Sequence, residues 1–249
     1  MLNFSKIGFI DIGWNASSQY YLSKFLKSIK LSPTKLMGYY IATFPSAEKV
    51  VDENTNLLSG YLCNFGKSER VYNMLLNFEE LFEIPSMARH GTVLGYKKNA
   101  SRITAVFDKR RFSKNMYMRL SQLQQGILNF SNDFFDNANF MFDIASNKEI
   151  SNVLIEKFHR LIYYPTKKES ISLGDLEHNV GIGKEINMSK VAYNMDFKDA
   201  LRNLIFKSDS CKEIQWIFGF VKRQNIFFRL ILIFRMGWTT ALKNVLRSS

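Results

Sequence analysis

The chain contains only 2 cysteines, 4 prolines and 3 histidines in 249 residues. Two cysteines as distant as Cys63 and Cys211 make no disulfide framework. With no CxxC pair, and with His90, His159 and His178 scattered, no structural zinc site is expected. So little proline, beside 13 glycines, leaves no stretch that reads as a long flexible linker. No run of about 18 apolar residues occurs, so no spanning helix is expected. The nearest approach is 216–238, WIFGFVKRQNIFFRLILIFRMGW. It carries Lys222, Arg223, Arg229 and Arg235 in its interior, which a bilayer centre penalises. The start, MLNFSKIGFIDIGW, lacks an apolar core and a small-residue cleavage site. No signal peptide is read there, and a reducing cytoplasm is the expected compartment.

What is present is ordinary globular composition, 46% hydrophobic and 22% charged. A chain of this length buries one large core or two small ones. The formal net charge is +12. That excess suits polyanionic partners: nucleic acid, an anionic membrane face or phosphorylated substrates. Charge does not choose among them, and the abundance of Asn, Lys, Ile and Phe is also what an AT-rich genome produces.

The pattern along the chain predicts an α/β fold. Lys6 to Ile12 reads as a strand with Gly13 as breaker. Ser17 and Ser18 are candidate N-caps for a helix over Tyr20 to Ile29, where Tyr21, Leu22, Phe25, Leu26 and Ile29 recur at helical spacing. Leu36 to Thr43 reads as a second strand. Strand, helix and strand form one βαβ unit with parallel strands and a right-handed crossover. Leu57 to Cys63 is ambiguous. A helix is predicted over Ser68 to Phe82, and a hairpin or strand pair over Gly91 to Lys97 and Arg102 to Phe107. Further helices are predicted over Asn115 to Phe142, Lys148 to Tyr163 and Asp196 to Phe206. Leu173 to Gly183 reads as irregular, and Lys212 to Arg247 as helical with breaks near Gly219 and Gly237. The simplest architecture is a Rossmann-like parallel-sheet half over about 1–110 with a mostly helical remainder. The expected division is an α/β core, 1–165, and a helical basic-aromatic region, 166–249.

The segment Phe9 to Gln19, FIDIGWNASSQ, carries the most chemical information. It sets an acid, Asp11, at the carboxyl end of the first strand, where open α/β sheets bind ligands. Small and hydroxyl residues follow where the helix begins. Its free N–H groups and positive dipole end suit phosphate. Asn15, Ser17 and Ser18 add side-chain donors. Asp11 is suited to a sugar hydroxyl, a metal or a general-base role. The plainer reading is a turn with an ordinary serine cap. Three well-known loops do not fit. A P-loop needs GxxxxGK[ST], and a dinucleotide loop needs GxGxxG. A haloacid-dehalogenase phosphatase needs DxDx[TV], where this chain has Gly13. A phosphoribosyltransferase loop has the right order of elements, but its adjacent acids and Thr-Gly pair are missing.

FIDIGWNASSQYYL, GYYIAT, EELFEIP with GTVLGY after it, and QWIFGF much later resemble the carboxyl-terminal half of large bacterial proteins from surface-polysaccharide (O-antigen and capsule) gene clusters. Those proteins carry an upstream haloacid-dehalogenase-like domain before a D-x-G-W-x-G-[ST]-x-Q segment, and often accompany or are fused to glycosyltransferases. The resemblance runs from about Lys6 to Phe220 and rests mainly on Asp11, Gly13, Trp14, Ser17 and Gln19. Two departures stand out. The second loop glycine is Ala16 here. The upstream phosphatase-like domain has no counterpart, so a split gene product or a fragment is expected. The resemblance implies a substrate that is a phosphorylated or nucleotide-activated sugar, with a glycan or lipid-linked sugar as acceptor. It implies a glycosyltransferase or phosphatase domain as partner, and magnesium is the one cofactor that reading admits. Asp11 would be the catalytic group, with Gly13, Trp14, Asn15, Ser17, Ser18, Gln19, His90 and Thr92 on the sugar or phosphate. Trp14 is the kind of flat ring on which a sugar stacks, with core packing as its alternative.

Other groups weigh less. Glu79, Glu80 and Glu83 lie close in sequence to Arg89 and His90, a pairing that could serve acid–base work or simply end a helix. Lys109, Arg110 and Arg111 form a basic cluster after a strand. Asp133, Asp136 and Asp143 are read as exposed acids between core phenylalanines, not as a metal site. In 216–247, Lys222, Arg229 and Lys243 fall on one helical stripe beside Trp216, Phe220, Phe227, Phe228, Phe234 and Trp238. That pattern fits a helix lying on the anionic inner face of a membrane, or a core helix with one basic side. Nucleic-acid binding ranks last, because no recognised element for it occurs. Two functions remain: a transferase domain with its donor site at Asp11 to Gln19, or a non-catalytic module that presents a glycan to a partner domain.

Overall fold

Less and more exposed positions alternate along the first two strands of the first sheet. In the computed structural model, residues 6–31, 35–51, 56–108, 112–137, 147–180, 187–192, 214–226 and 229–230 are described. Strand β1 (Lys6–Asp11) pairs in parallel with β2 (Lys35–Ala42), and β2 pairs in parallel with β3 (Asn56–Cys63). The order is β1-β2-β3, so β2 is central. Leu36, Gly38, Tyr40 and Ala42 point to the buried face of β2, while Lys35 and Tyr39 are exposed. The other face also shows Ile10 and Tyr61 to solvent, with Ile10 86% exposed. This open face departs from the usual parallel sheet, which is covered on both sides, and burial alternates along β2 although LMGYYIA itself is a nearly continuous apolar run. The ambiguous segment, Leu57 to Cys63, is therefore the third parallel strand.

Helix α1 (Ser17–Ser28) lies in the crossover from β1 to β2. Gly38 makes room for it. A Cβ there would fall 1.9 Å from Oε1 of Gln19, closer than any real contact. A 3-10 turn, Pro45–Val50, follows β2, and helix α2 (Glu69–Leu76) follows β3. Ala16, Tyr40 and Ala47 form a core cluster, with Phe9, Val50, Leu58 and Phe65 packed on it.

The helix predicted over Ser68 to Phe82 is two pieces. α2 ends at Leu76, and α3 (Glu80–Glu83) begins after Phe78, which is 1% exposed. β4 (Val93–Asn99) and β5 (Arg102–Phe107) form an antiparallel pair of their own. They do not extend the parallel sheet, which ends at Cys63. The helices α4 (Lys114–Asn137), α5 (Asn147–Tyr163) and α6 (Lys167–Gly174) follow. The span read as irregular, Leu173 to Gly183, contains the end of α6 and strand β6 (Glu177–Val180). β6 pairs antiparallel with β7 (Asn187–Lys190). α7 (Ile217–Arg223) continues through Gly219 instead of breaking there. A Cβ at Gly219 would sit 2.1 Å from the Trp216 ring, so this glycine serves close packing. The helix expected over Asp196 to Phe206, the break near Gly237 and the cluster Lys109 to Arg111 lie outside the described residues.

The fold is thus mixed α/β, with a three-stranded parallel sheet and two small antiparallel pairs among the described residues. The chain forms two compact units, Met1–Glu79 with Met141–His159, and Glu80–Phe140 with Arg160–Ser249. The boundary expected at 165 falls within the second. No helix among the described residues is long and apolar enough to cross a membrane.

The start of α6 supplies a pH-dependent element. Thr166 and Glu169 form a reciprocal capping box. Arg160 grips both Glu169 oxygens at 2.6 and 2.7 Å. These bonds to Arg160, helped by Thr166 and opposed by burial, hold the Glu169 carboxyl at about 2, below its ordinary 4.5. A depressed folded-state value means that the stabilisation is complete above the ordinary carboxylate range and is lost as pH falls towards the folded value. Melting of wild type and Glu169→Gln is expected to differ by a constant gap at neutral pH. That gap should close between pH 4.5 and about 2. A gap independent of pH would contradict the assignment.

Candidate functional site

The carboxyl ends of β1, β2 and β3 meet the loops Ile12–Ala16, Thr43–Val50 and Asn64–Ser68. The loops are tied to one another by backbone. Phe44 N–H donates to Trp14 O at 2.7 Å, Thr43 N–H to Cys63 O at 2.9 Å and Gly66 N–H to Thr43 O at 2.9 Å. Phe65 N–H adds a bond to Thr43 Oγ1 at 2.9 Å. Such a frame fixes where α1 starts.

Within FIDIGWNASSQ the side chains divide by burial. Trp14, Ala16 and Gln19 are inside, and Asn15, Ser17 and Ser18 are exposed. Trp14 is 5% exposed and stacks on Phe44 at 5.2 Å and 18°. It has no free face for a sugar, so the expected stacking platform is a core residue. Gln19 is wholly buried. Its amide donates to Leu36 O at 3.3 Å and Leu57 O at 3.2 Å, and it accepts from the Tyr40 hydroxyl at 2.8 Å. It staples α1 to β2 and β3, and no donor is left for a ligand. Both expected ligand contacts are thus scaffold, because a large ring and a three-bonded amide are worth more in the core than at a solvent surface.

Ala16, the N-cap position, sits in the left-handed region at φ 54, ψ 24. That is the conformation glycine takes without cost. Ala16 is 1% exposed, so its methyl fills the cluster around Tyr40 and Ala47, offsetting strain by burial. The resemblance pattern has glycine at this position, and the backbone shape explains why glycine suits it.

The exposed residues frame an open helix end. No side chain caps α1, and no acid lies in its first turn. Ser17, Ser18 and Gln19 supply the first-turn N–H groups, which have no intrahelical acceptor. Asp11 is half-buried, and its Oδ1 accepts from Gly13 N–H at 3.2 Å. The carboxylate therefore closes its own loop before it does anything else. Burial pushes the Tyr40 hydroxyl well above the ordinary tyrosine value, and the Asp11 charge adds to the shift. Tyr40 remains a neutral donor to Gln19. Asn15 Oδ1 accepts from the Ser46 hydroxyl, so Asn15 is held by the turn after β2. Sequence reasoning did not find Ser46. Its signal is Pro45 beside it, which starts a helical turn at the tip of a strand.

His90 and Thr92 belong to the second unit. With Met87, Val93 and Phe112 they line an open cavity of about 210 Å³. α4 holds that loop. Gln124 donates to Pro85 O at 3.0 Å and Met87 O at 2.9 Å, and Arg89 to Ser121 Oγ at 2.9 Å. His90 is exposed, bonds Gly91 O through Nδ1 at 2.9 Å and lies 4.4 Å from the Phe107 ring. Of the acids Glu79, Glu80 and Glu83, read as lying close in sequence to Arg89 and His90, Glu83 meets a different histidine. Glu83 Oε2 lies 3.3 Å from Nε2 of His178, whose Nδ1 is 3.2 Å from the Gln215 amide. Glu83 and His178 are far apart in sequence, beyond the reach of local spacing.

The described part of 216–247 has one buried side, while Ile226 and Leu230 are each 59% exposed. Trp216 and Phe220 are fully buried and Arg223 is 8% exposed. Arg223 bonds Asp175 at 2.7 Å and Ala192 O. Of the expected basic stripe, Lys222 and Arg229 are partly exposed. Phe227, Phe228, Phe234, Trp238 and Lys243 lie outside the described residues, as does Asp143. Among the described residues, no group of three or more His, Cys, Asp or Glu could hold a metal.

No protein-family model and no curated protein matches the chain. Its functional reading therefore stands on the geometry above and on the resemblance of the loop.

Proposed function

We propose that the first unit binds the phosphate of a phosphorylated or nucleotide-activated sugar at the N-terminus of α1, within bacterial surface-polysaccharide synthesis. The observation that carries this reading is the uncapped, acid-free first turn at the carboxyl edge of a parallel sheet. Unpaired N–H groups and the positive end of the helix dipole favour an anion there. The hydroxyls of Ser17 and Ser18 are exposed beside them. Trp14, Ala16 and Gln19 serve by fixing the turn.

Asp11 favours a binding role over a catalytic one. Its carboxylate is engaged by Gly13, and the neighbouring Tyr40 hydroxyl is held neutral. Transfer chemistry would then come from a glycosyltransferase or phosphatase partner, and the glycan or lipid-linked acceptor would reach this unit through it. In the transferase reading, Asp11 is the base and magnesium assists.

Ser18→Asp separates binding from folding. A carboxylate in the first turn should raise helix stability by about 0.3–1 kcal/mol. The same charge about 4 Å from a bound phosphate should weaken binding roughly a hundredfold or more. Thermal melting and calorimetric titration with sugar phosphates and nucleotide sugars check both signs. A variant that binds as well as wild type would sink the proposal. Asp11→Asn should leave affinity within a few-fold under the binding reading, and abolish turnover under the transferase reading.

A further inference from the structure

The hairpin β4–β5 is exposed on both faces. Register places Tyr96 opposite Ala105 and Lys98 opposite Ile103, so Tyr96, Lys98, Ile103 and Ala105 share one face, while Leu94 sits where the register shifts between Val93 and Gly95. Leu94 is 60%, Tyr96 73% and Ile103 72% exposed. The opposite face carries Lys97, Thr104 and Arg102 near the turn Asn99 to Arg102. Residues 93–107, VLGYKKNASRITAVF, hold three cations and no acid. A two-stranded hairpin with large apolar side chains in water is poorly stable alone, and exposed apolar groups of this kind mark an interaction surface.

We propose that this hairpin docks turn-first on an anionic lipid surface, with Tyr96 and Ile103 in the headgroup boundary, Lys98 beside them, and Lys97 and Arg102 at the turn reaching lipid phosphates from the other side of the ribbon. Charge complementarity selects an anionic partner. The apolar side chains select lipid over nucleic acid, since a phosphate backbone gains nothing from exposed Leu and Ile, whereas a bilayer interface takes both those and a tyrosine. The inference is independent of the sugar-phosphate site, which lies in the other unit, and of the buried residues Trp216 and Phe220.

The test is co-sedimentation of the full chain with vesicles of phosphatidylcholine alone or mixed with phosphatidylglycerol. Wild type should bind the mixed vesicles and not the neutral ones, less strongly at high salt. Lys97→Gln with Lys98→Gln and Arg102→Gln should weaken partition about a hundredfold, each cation accounting for roughly fivefold. Tyr96→Ser with Ile103→Ser should also lose binding with every charge intact. Because these side chains are exposed, melting should be unchanged. Ile103→Trp gives a second readout: the fluorescence it adds over wild type should be quenched by brominated acyl chains. No binding by wild type, full binding by either multiple variant, or an added indole signal that stays unquenched would overturn the proposal. So would binding of single-stranded DNA that the Tyr96→Ser, Ile103→Ser variant retains and that displaces the vesicles.

Discussion

Gln19→Ala is expected to destabilise the first unit by about 3–5 kcal/mol, from a cavity and from buried partners left unpaired. Gln19 is wholly buried and joins α1 to two strands at once through Leu36 O, Leu57 O and the Tyr40 hydroxyl. Gln19→Met keeps most of the volume and removes the polar bonds. It should recover about 1–2 kcal/mol of the loss, the part due to packing. Urea unfolding followed by circular dichroism measures both. A loss under about 1 kcal/mol for the alanine variant, the range of ordinary surface changes, would show that the staple is not structural. Binding is expected to fall with folding and not before it, since Gln19 offers nothing to the ligand.

The second large effect is at Trp216. It is fully buried, and its indole N–H donates to Ile162 O at 2.9 Å. Gly219 lies against its ring. Trp216→Ala should cost about 3–5 kcal/mol, the range for removing a large core ring. Trp216→Phe keeps part of the ring contact and loses the hydrogen bond, at about 1–2 kcal/mol beyond any packing change. Urea unfolding followed by circular dichroism separates them. Near-equal midpoints for wild type and the alanine variant would mean that 216–223 does not anchor the second unit. A surface role would then return for that segment.

The parts of the fold that were readable from sequence are those with a local period. α1 repeats at helical spacing, β1 and β2 are short apolar runs between breakers, and the predicted bounds of all three differ from the observed ones by a few residues. The hairpin was readable from its turn, and α4 and α5 from their length. β3 is ambiguous because Ser59 and Gly60 interrupt LLSGYLC, and the close approach of Gly60 to Thr43 N is a tertiary fact. β6 and β7 are four residues each, too short to show a period. The separation of Glu83 from His90, and its pairing with His178, depends on chain folding over long range.

The loop shows the same limit from the other side. Asp11, Gly13, Trp14, Ser17 and Gln19 were read together as a ligand site because they fall together in sequence. Burial divides them. The large and the multiply bonded residues hold the turn, and the small hydroxyls face solvent. Sequence spacing gives the set of residues, but only the strand register and the direction of α1 decide which side each takes. Ala16 is the one position where local shape could have been anticipated, since a left-handed residue is what a glycine in the related pattern implies.

The most direct test of the central claim is a nitrogen–proton correlation spectrum of the full chain titrated with a sugar phosphate, a nucleotide sugar and the matching neutral sugar. The account predicts saturable shifts of the Ser17 and Ser18 backbone amides with the two phosphate-bearing ligands, and none with the neutral one. Saturable shifts confined to other residues, or an unmoved first turn of α1 while the ligand binds, would contradict it.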